Sequence, residues 1–460
     1  MSPHWHGQRF NRVDTRVPWL EGVIHLPPLL VDLLGFHEVD KTRAYIGRSR
    51  SLPLEIVICK SEDKSYIEDA FLLAVPHVKR FKSLAIGRTS DSLRNLTKHL
   101  TLPVPPLKEL KIRFICDPAP VLDSMLFNED LSSLRTLSLG GVITHLPWRS
   151  LWNLTTFDLR CPPDNRIAVT NLLNFLESAP HLKDITLHHS IPRASNACSS
   201  RVVCLPRLKN LTIFGDPVHA TLLDHLSIPD GASLVLDFDF SGGESPLLKC
   251  LPKTARNLKN LFRITTVNLC FAETKKYVHL VGPSGRFYMF GRRFPPFDLD
   301  RLVDRQILRT LNYFSLPMTR RLAITKYKAP IQTAANKSPH CILHRMKDLL
   351  TLILTQCCNL PFILALNPDH HPLKDVPCPN SEELVLYIET QDEFNIPELM
   401  SMAKERALKG AKLRSITIVG LDEFVPGKVV FKLRKHVAHV EYRFEENPPK
   451  WNSIPNDESG

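Results

Sequence analysis

Two histidine pairs and one cysteine pair are the residues of this chain whose types best suit metal binding. His188-His189 follows a strand-like run, His370-His371 lies in the loop Asn367-Pro-Asp-His-His-Pro, and Cys357-Cys358 are adjacent. A zinc site needs several ligands at set spacings, such as a CxxC pair or a Cys/His ladder, and neither accompanies these pairs. The sequence therefore predicts no metal site, and we interpret the histidines as polar residues of a surface.

The motifs of the common enzyme classes do not occur in the sequence. No GxGxxG follows a strand, and neither GxxxxGK[ST] nor GxSxG is present, so the usual phosphate cradles and the serine nucleophile elbow are missing. The segment Gly282-Pro-Ser-Gly285 is better explained as a turn. No set of nucleophile, base and oxyanion donors can be assembled, so the sequence predicts a protein that is not an enzyme and binds no cofactor.

A recurring phrase organises the chain instead: a leucine, two variable residues, an aliphatic or aromatic residue, one variable residue, then Leu or Ile. The steps between its first five clear copies are 27, 20, 28 and 26 residues, in or near the range of leucine-rich repeats. The five copies begin at Leu107, Leu134, Leu154, Leu182 and Leu208.

Later segments complete this organisation. The phrase returns from Leu349, Ser381 and Leu413, whereas residues 261–291 contain alternating runs joined by a Gly-containing turn, the pattern of a β-hairpin. We predict an α/β fold: an irregular leucine-rich-repeat solenoid with a curved parallel sheet on its concave face, short helices on its convex face, and a β-hairpin insertion near the middle. The predicted units are residues 49–260 (N-terminal repeats), 261–300 (the hairpin or an irregular repeat), 301–444 (C-terminal repeats) and 445–460 (a disordered tail).

Composition limits the partners and the compartment. The 460 residues carry 59 Lys and Arg against 47 Asp and Glu, a formal net charge of +12, which allows nucleic acid or another acidic partner as an alternative. The basic residues are nevertheless spread out rather than gathered in a run. The eleven cysteines follow no disulfide or zinc spacing, and no apolar stretch has signal-peptide or bilayer length. We therefore expect an intracellular protein, cytoplasmic or nuclear, with no membrane partner.

Side chains alternate across a strand, so the variable residues within and after each phrase face away from the core aliphatics. We expect these residues to form the concave surface that holds a partner protein. Their mixed charge and size suits a folded protein better than a polyanion, which would call mostly for Lys and Arg. The candidate binding residues are Lys111, Arg113, Asp158, Arg160, Thr186, His188, Thr212, Phe214 and Tyr387, with Ser138, Gly140 and Val385 at equivalent positions.

Two N-terminal phrases carry a family resemblance. The segment Thr15-Arg-Val-Pro18-Trp19 looks like the end of the F-box region in the expanded F-box families of mushroom-forming fungi. The segment Tyr45-Ile-Gly-Arg48-Ser49, followed by Pro53-Leu54, is similar to the phrase that introduces the leucine-rich repeats of those proteins. By this resemblance, residues 1–48 are the remnant that follows an F-box. The residues themselves, apart from the resemblance, predict that this segment is partly helical, with a helix from about Leu29 to Ile46.

The resemblance implies a substrate adaptor of a cullin-type ubiquitin ligase, whose repeats hold the target protein. The family's opening leucine-proline-x-glutamate phrase does not occur in the first ten residues. A Skp1-type linker is therefore expected as a partner only if an F-box lies upstream of Met1. The identity of the target protein does not follow from the resemblance.

Overall fold

The computed structural model describes the following residues of the chain: 29–32, 38–58, 69, 71–87, 104, 106–114, 121–122, 131–144, 151–161, 167–188, 201–215, 217–239, 251, 258–261, 263–272, 275–283, 285–292, 311, 314, 316–325, 337–355, 360–370, 375–388, 395–420 and 427–444. The predicted tail at 445–460 and most of the predicted F-box remnant at 1–48 lie outside these residues.

Short strands make up most of the regular structure. They are β1 (Leu29–Asp32), β2 (Leu54–Ile58), β3 (Phe81–Gly87), β4 (Glu109–Arg113), β5 (Val121–Leu122), β6 (Thr136–Gly140), β7 (Ile143–Thr144), β8 (Thr156–Arg160), β9 (Asp184–His188), β10 (Val203–Cys204), β11 (Asn210–Gly215), β12 (Leu226–Ser227), β13 (Ser233–Asp239), β14 (Thr266–Ala272), β15 (Lys275–Val281), β16 (Arg286–Arg292), β17 (Arg321–Thr325), β18 (Thr351–Thr355), β19 (Glu383–Ile388), β20 (Ser415–Gly420) and β21 (His439–Phe444).

Helices lie between many of these strands. The α-helices are α1 (Glu38–Ser49), α2 (Val169–Ser178), α3 (Lys337–Arg345), α4 (Leu360–Leu366), α5 (Ile396–Leu408) and α6 (Gly427–Leu433). Shorter 3₁₀ segments include Val75–Arg80 and Pro217–His225. The fold is thus mixed α/β.

Seventeen of the strands form one open, mostly parallel sheet. Its hydrogen-bonded order is β1-β2-β3-β4-β6-β8-β9-β11-β13-β16-β15-β14-β17-β18-β19-β20-β21. Every neighbouring pair is parallel except β16–β15 and β15–β14. The sheet therefore follows chain order on both sides of one antiparallel insertion.

That insertion confirms the predicted hairpin and shows how it joins the sheet. Strands β15 and β16 pair antiparallel, and β14 adds a third strand, so that the three lie in reverse chain order between β13 and β17. We call β14, β15 and β16 the meander. Because β16 runs parallel to β13 and β14 runs parallel to β17, the meander extends the sheet without interrupting it. The turn before β16 requires glycine at position 285, where a Cβ atom would lie 2.6 Å from the Asp230 carbonyl oxygen.

The repeated phrase coincides with a repeated backbone geometry. In seven of the eight copies of the phrase, the amide of the first residue donates to the carbonyl three residues earlier, at 2.9–3.2 Å, which closes a turn directly before the strand. The inward aliphatics of the strands belong to one continuous cluster of buried residues. The seven copies with this geometry begin at Leu107, Leu134, Leu154, Leu182, Leu208, Leu349 and Ser381.

Helices cover the core side of the sheet where the sequence gives them an apolar stripe. In α2, the residues Val169, Leu172, Leu173 and Leu176 are buried at helical spacing, and Phe175 packs on Phe157 of β8 with ring centroids 4.6 Å apart. The longer segment Ile396–Leu408 forms α5, whose residues Leu399, Met402 and Ala403 are buried.

One arginine of α5 occupies a core position of the helix. Arg406 has no solvent exposure and donates to the carbonyl oxygens of Pro377 and Cys378 at 2.6 and 2.9 Å. Burial lowers the pKa of Arg406 to about 10, and burial raises the pKa of the Cys378 thiol to about 12. Arg345 of α3 likewise donates to two backbone carbonyls, at 2.6 and 3.1 Å. Such arginines fasten one strand–helix unit to the loop of the preceding unit.

The prediction of a helix from about Leu29 to Ile46 is wrong in its first part. Residues Leu29–Asp32 form β1, which pairs parallel with β2 from Leu54 to Val57, and the helix begins only at Glu38 and ends at Ser49. Residues Leu29–Asp32 form a strand because they hydrogen-bond to β2, which lies more than 20 residues later in the chain. The local sequence pattern contains no information about such a distant partner strand.

Candidate interaction face

The sheet has a second face, opposite the core, which we call the outer face. In β8, for example, Phe157 and Leu159 are buried in the core whereas Thr156, Asp158 and Arg160 point the other way. Because parallel strands pair in register, the outer residues of neighbouring strands form continuous rows across the sheet. The sequence-nominated residues fall into two such rows.

The first row runs from Lys111 to Thr212. Its members, in order across β4, β6, β8, β9 and β11, are Lys111, Ser138, Asp158, Thr186 and Thr212. The second row lies two residues further along each strand and contains Arg113, Gly140, Arg160, His188 and Phe214.

Tyr387 belongs to the second row but not to this group. It lies on β19, seven strand spacings from Phe214 of β11, which corresponds to roughly 34 Å along the sheet. The structure therefore brings eight of the nine nominated residues together and places Tyr387 elsewhere on the outer face.

Asp158 is the centre of the group. Its carboxylate accepts from Arg113 Nη2 at 3.0 Å and from Ser138 Oγ at 2.9 Å, and it lies 3.4 Å from Arg160 Nε. His188 Nε2 is 3.9 Å away. We call these five residues the Asp158 cluster. The carboxylate is only 15% exposed, so charge-assisted bonds hold both guanidinium groups in fixed positions.

Gly140 makes this convergence possible. It occupies the second-row position between Arg113 and Arg160, where a Cβ atom would lie 3.4 Å from Arg113 Cγ and 3.7 Å from Arg160 Cβ. A larger side chain would separate the two arginine stems. The small size of the residue at position 140 therefore leaves room for both arginines to reach Asp158.

The second row continues with a stacked pair. The rings of His188 and Phe214 lie parallel, with an interplanar angle of 3° and centroids 4.1 Å apart. Ring stacking removes the rotational freedom that either side chain would have alone. The outer face of β9 and β11 thus presents a stacked pair of aromatic rings, of which His188 belongs to the Asp158 cluster and Phe214 adds an apolar surface next to it.

Ser138, His188 and Asp158 are the three residue types of a serine-hydrolase triad, but their order in space is wrong for that chemistry. A triad needs the histidine between the serine and the carboxylate, where it can take the serine proton. Here Ser138 Oγ donates directly to Asp158, and the carboxylate lies between the hydroxyl and the imidazole. The arrangement orients Ser138 without activating it.

What the cluster can do is donate hydrogen bonds. An arginine carries five N–H donors. Among the described residues Arg113 uses only its Nη2, which donates to Ser138 and to Asp158. The Nε of Arg113 is buried and has no hydrogen-bond partner in the described part of the chain. Lys111, about half exposed, lies 2.5 Å from Glu109 on the same strand. The cluster is therefore a fixed set of donors around one shared carboxylate.

The outer face changes character beyond the central meander. On β17 and β18 its residues are Ala323 and Ile353 in the first row and Thr325 and Thr355 in the second, and all four are buried. The two threonine hydroxyls bond to each other at 2.7 Å. This part of the face is apolar and internally paired.

Three residues of the meander were not singled out from the sequence. In the first row, Asn268 Nδ2 lies 3.2 Å from His279 Nδ1, and His279 stacks on Tyr288 with centroids 3.9 Å apart. Burial, aided by the positive charge of Arg286, lowers the pKa of His279 to about 4. The alternating pattern of these strands places the three residues on one face, but only the register of the meander brings them together.

The other chemistry-bearing residues gain few partners. His370 Nε2 lies 3.7 Å from Glu398, whereas His189, His371 and the Cys357-Cys358 pair lie outside the described residues. Over the described ranges, no group of three or more His, Cys, Asp or Glu side chains could hold a metal ion.

Comparison with known proteins gives no family. No protein-family model matches the sequence, and no curated protein matches it either. In the portions of the chain that the structure covers, no helix combines the length and the apolar character needed to cross a bilayer.

Proposed function

We propose that this protein is a non-enzymatic interaction scaffold, an irregular leucine-rich-repeat solenoid that holds a partner protein against the outer face of β4 to β11. The observation that carries the proposal is the Asp158 cluster, in which one carboxylate orients two arginines beside a rigid His188–Phe214 stack. Arginine and aromatic side chains fixed in advance are typical of the residues that dominate binding energy at protein interfaces.

The repeats support the solenoid part of this proposal. Each of the first five clear copies of the phrase overlaps a parallel strand, and the first residue of each closes the same four-residue turn. Stacked units of this kind bury one continuous core on one side. Their other side remains as an extended surface, which would be the concave face in a leucine-rich-repeat protein.

The character of the cluster favours a protein over nucleic acid. A phosphate backbone is bound by surfaces made mostly of Lys and Arg, whereas the cluster has Asp158 at its centre and the apolar His188–Phe214 pair at its side. The bonding of Ser138 to the carboxylate supports a binding role over a catalytic one.

The role of substrate adaptor for a cullin-type ubiquitin ligase is the more specific form of the proposal. It rests on the resemblance of Thr15–Trp19 and Tyr45–Leu54 to fungal F-box proteins with leucine-rich repeats. Sequencing the 5′ end of the native transcript tests it. An in-frame F-box upstream of Met1 would support coupling to a Skp1-type linker, and an in-frame stop codon would contradict it.

The binding role is tested by reversing charge on the outer face. We expect Lys111→Glu with Arg113→Glu to reduce capture of the partner from a lysate of the native cells by about tenfold or more, because truncating one side of a desolvated charge pair usually costs at least 2 kcal/mol. Immobilised wild-type and variant proteins are compared by quantitative mass spectrometry of the retained proteins.

A matched control separates the face from total charge. Lys432→Glu with Lys435→Glu changes the net charge by the same amount as the outer-face variant. Both lysines are exposed, Lys432 within α6 and Lys435 just after it, so this control should leave capture unchanged. Equal capture by the outer-face variant and this control, with both folded by circular dichroism, would remove the Asp158 cluster from the proposal.

A further inference from the structure

A second surface lies along one edge of the sheet, where the strands begin. The residue after the first leucine of each phrase occupies this edge, and consecutive members are joined by backbone hydrogen bonds of 2.7–2.8 Å from the amide of one to the carbonyl of the one before. From β4 to β11 these residues are Lys108, Arg135, Thr155, Lys183 and Lys209. We call this row the basic edge.

The four cations of the basic edge are exposed and have no ion-pair partner among the described residues. The row differs in this respect from its continuations. Before β4, Lys82 pairs with Glu55 at 3.2 Å, and after the meander Arg414 lies 3.7 Å from Glu382. After the meander the same edge contains Arg320, which is exposed and has no ion-pair partner among the described residues, but it stands alone between Thr265 and Leu350. The group of several unpaired cations therefore lies on the strands that also carry the Asp158 cluster.

These cations do not help the fold. Neighbouring strands are about 4.8 Å apart, so Lys108 beside Arg135 and Lys183 beside Lys209 place like charges on adjacent strands, which is unfavourable. Each side chain points to solvent and none belongs to the core cluster. Stability alone therefore does not explain this row of like charges, and a binding role does, because surfaces that serve function are often kept at a cost in stability.

An aromatic residue interrupts the row of charge at its middle. Trp152 is 51% exposed and lies in the turn Leu151–Leu154 that precedes Thr155, the one uncharged member of the edge. Asn153 fixes this turn by donating to the Ser132 carbonyl at 2.7 Å. The turn with Trp152 therefore lies between those that lead to Arg135 and Lys183.

We infer that the basic edge binds an extended acidic segment of a partner protein, with Trp152 as the apolar anchor at its centre. The row spans four strand spacings, roughly 19 Å, which about six residues of extended peptide would cover. Lysine and arginine on both sides of an exposed tryptophan complement a segment whose carboxylates flank an apolar residue.

The described turns favour a peptide over single-stranded nucleic acid. A strand of nucleic acid binds by stacking successive bases on several aromatic side chains along a basic groove. Among the described turns that lead into β4, β6, β8, β9 and β11, Trp152 is the one Trp, Tyr or Phe residue. Charge complementarity with a single anchor therefore points to an acidic peptide.

The test measures binding of a fluorescein-labelled peptide of about eight residues, made of glutamate and aspartate with one central leucine, by fluorescence anisotropy. We expect the wild type to bind it, with an affinity that weakens as salt rises. The variant Lys108→Glu, Arg135→Glu, Lys183→Glu and Lys209→Glu should lose roughly tenfold or more in affinity, and Trp152→Ala alone should also weaken binding.

The control is a second quadruple variant with the same charge. Arg48→Glu, Lys412→Glu, Lys432→Glu and Lys435→Glu change exposed cations away from the basic edge; each reversal lowers the net charge by two, so both variants fall from +12 to +4. The control should keep most of the affinity. Equal losses in the two quadruple variants, or no binding to the wild type, would overturn the inference.

Two further measurements identify the surface and the class of ligand. The outer-face variant Lys111→Glu with Arg113→Glu should bind the peptide more tightly than the basic-edge variant does. Because the two variants alter different surfaces, this inference and the proposed function can fail separately. Tighter binding of oligothymidine than of the acidic peptide by the wild type would show that the edge serves nucleic acid, and would overturn the inference.

Discussion

The two halves of the sheet share one core pattern and differ on their outer faces. From β4 to β11 the outer rows carry Arg113, Asp158 and Arg160, joined by charge-assisted bonds. On β17 and β18 the equivalent positions include Ala323 and Ile353, which are buried. The inward leucines are buried alike in both halves. The inward leucine pattern is therefore sufficient to form the sheet in both halves. The outward residues can differ in chemistry between the halves without disrupting it.

The largest expected effect concerns the C-terminal half, where a buried arginine fastens a loop. Arg406→Met removes the donors to the Pro377 and Cys378 carbonyls, and leaving two buried acceptors without partners should lower the free energy of unfolding by about 3 kcal/mol. Urea denaturation measures the change. Arg414→Met is the control, because Arg414 is exposed and pairs only with Glu382; equal losses in the two variants would contradict the role of Arg406.

The next effect concerns the meander that joins the halves. Gly285→Ala places a Cβ atom within 2.8 Å of two backbone carbonyl oxygens, and we expect a loss of about 2 kcal/mol in thermal or urea unfolding. Gly47→Ala in α1 is the matched control. A Cβ atom there meets nothing within 4 Å, so alanine should stabilise the helix by up to about 1 kcal/mol. Losses of the same size in both variants would contradict the close packing at Gly285.

A smaller loss of stability is expected in the N-terminal half. Asp158→Asn removes the charge that holds Arg113 and Arg160 together, and should cost about 1 to 2 kcal/mol of unfolding free energy while also weakening partner capture. Asp348→Asn provides the control at an exposed acid. An unchanged stability and unchanged capture in Asp158→Asn would show that the cluster is not a functional unit.

A pH dependence of stability is also expected, at the boundary between the halves. His279 has a pKa of about 4 in the folded protein, against an ordinary value of 6.5, so between these values the unfolded chain binds a proton that the folded chain does not. Stability should therefore fall as the pH is lowered from 6.5 towards 4. Unfolding of wild type and His279→Phe, which keeps a ring beside Tyr288, measures the contribution of His279 as a difference. Parallel curves would contradict the shifted pKa.

The sequence predicted the strands well because their signal is local. The phrases from Leu107, Leu134 and Leu154 each cover a strand, and alternation placed Asp158 and Arg160 on the face opposite the core. The contacts within that face needed more than alternation. The Asp158 cluster depends on the register of β4, β6 and β8 and on the lack of a side chain at Gly140.

Long-range pairing also explains what the sequence did not predict. The strand at Leu29–Asp32 is determined by β2, which follows α1. The trio of Asn268, His279 and Tyr288 forms because the meander enters the sheet in reverse order. In both cases the deciding partner is distant in the chain, so no local pattern could reveal it.

Photo-crosslinking from the outer face tests most directly whether the outer face of β4 to β11 holds a partner protein. A photoreactive amino acid is placed at Lys111 in the N-terminal half and, in a second protein, at the equivalent first-row position Val385 of β19. We expect the captured partner to be crosslinked from position 111 and not from position 385. Crosslinking from position 385 alone would contradict the claim that the charged half of the outer face holds the partner.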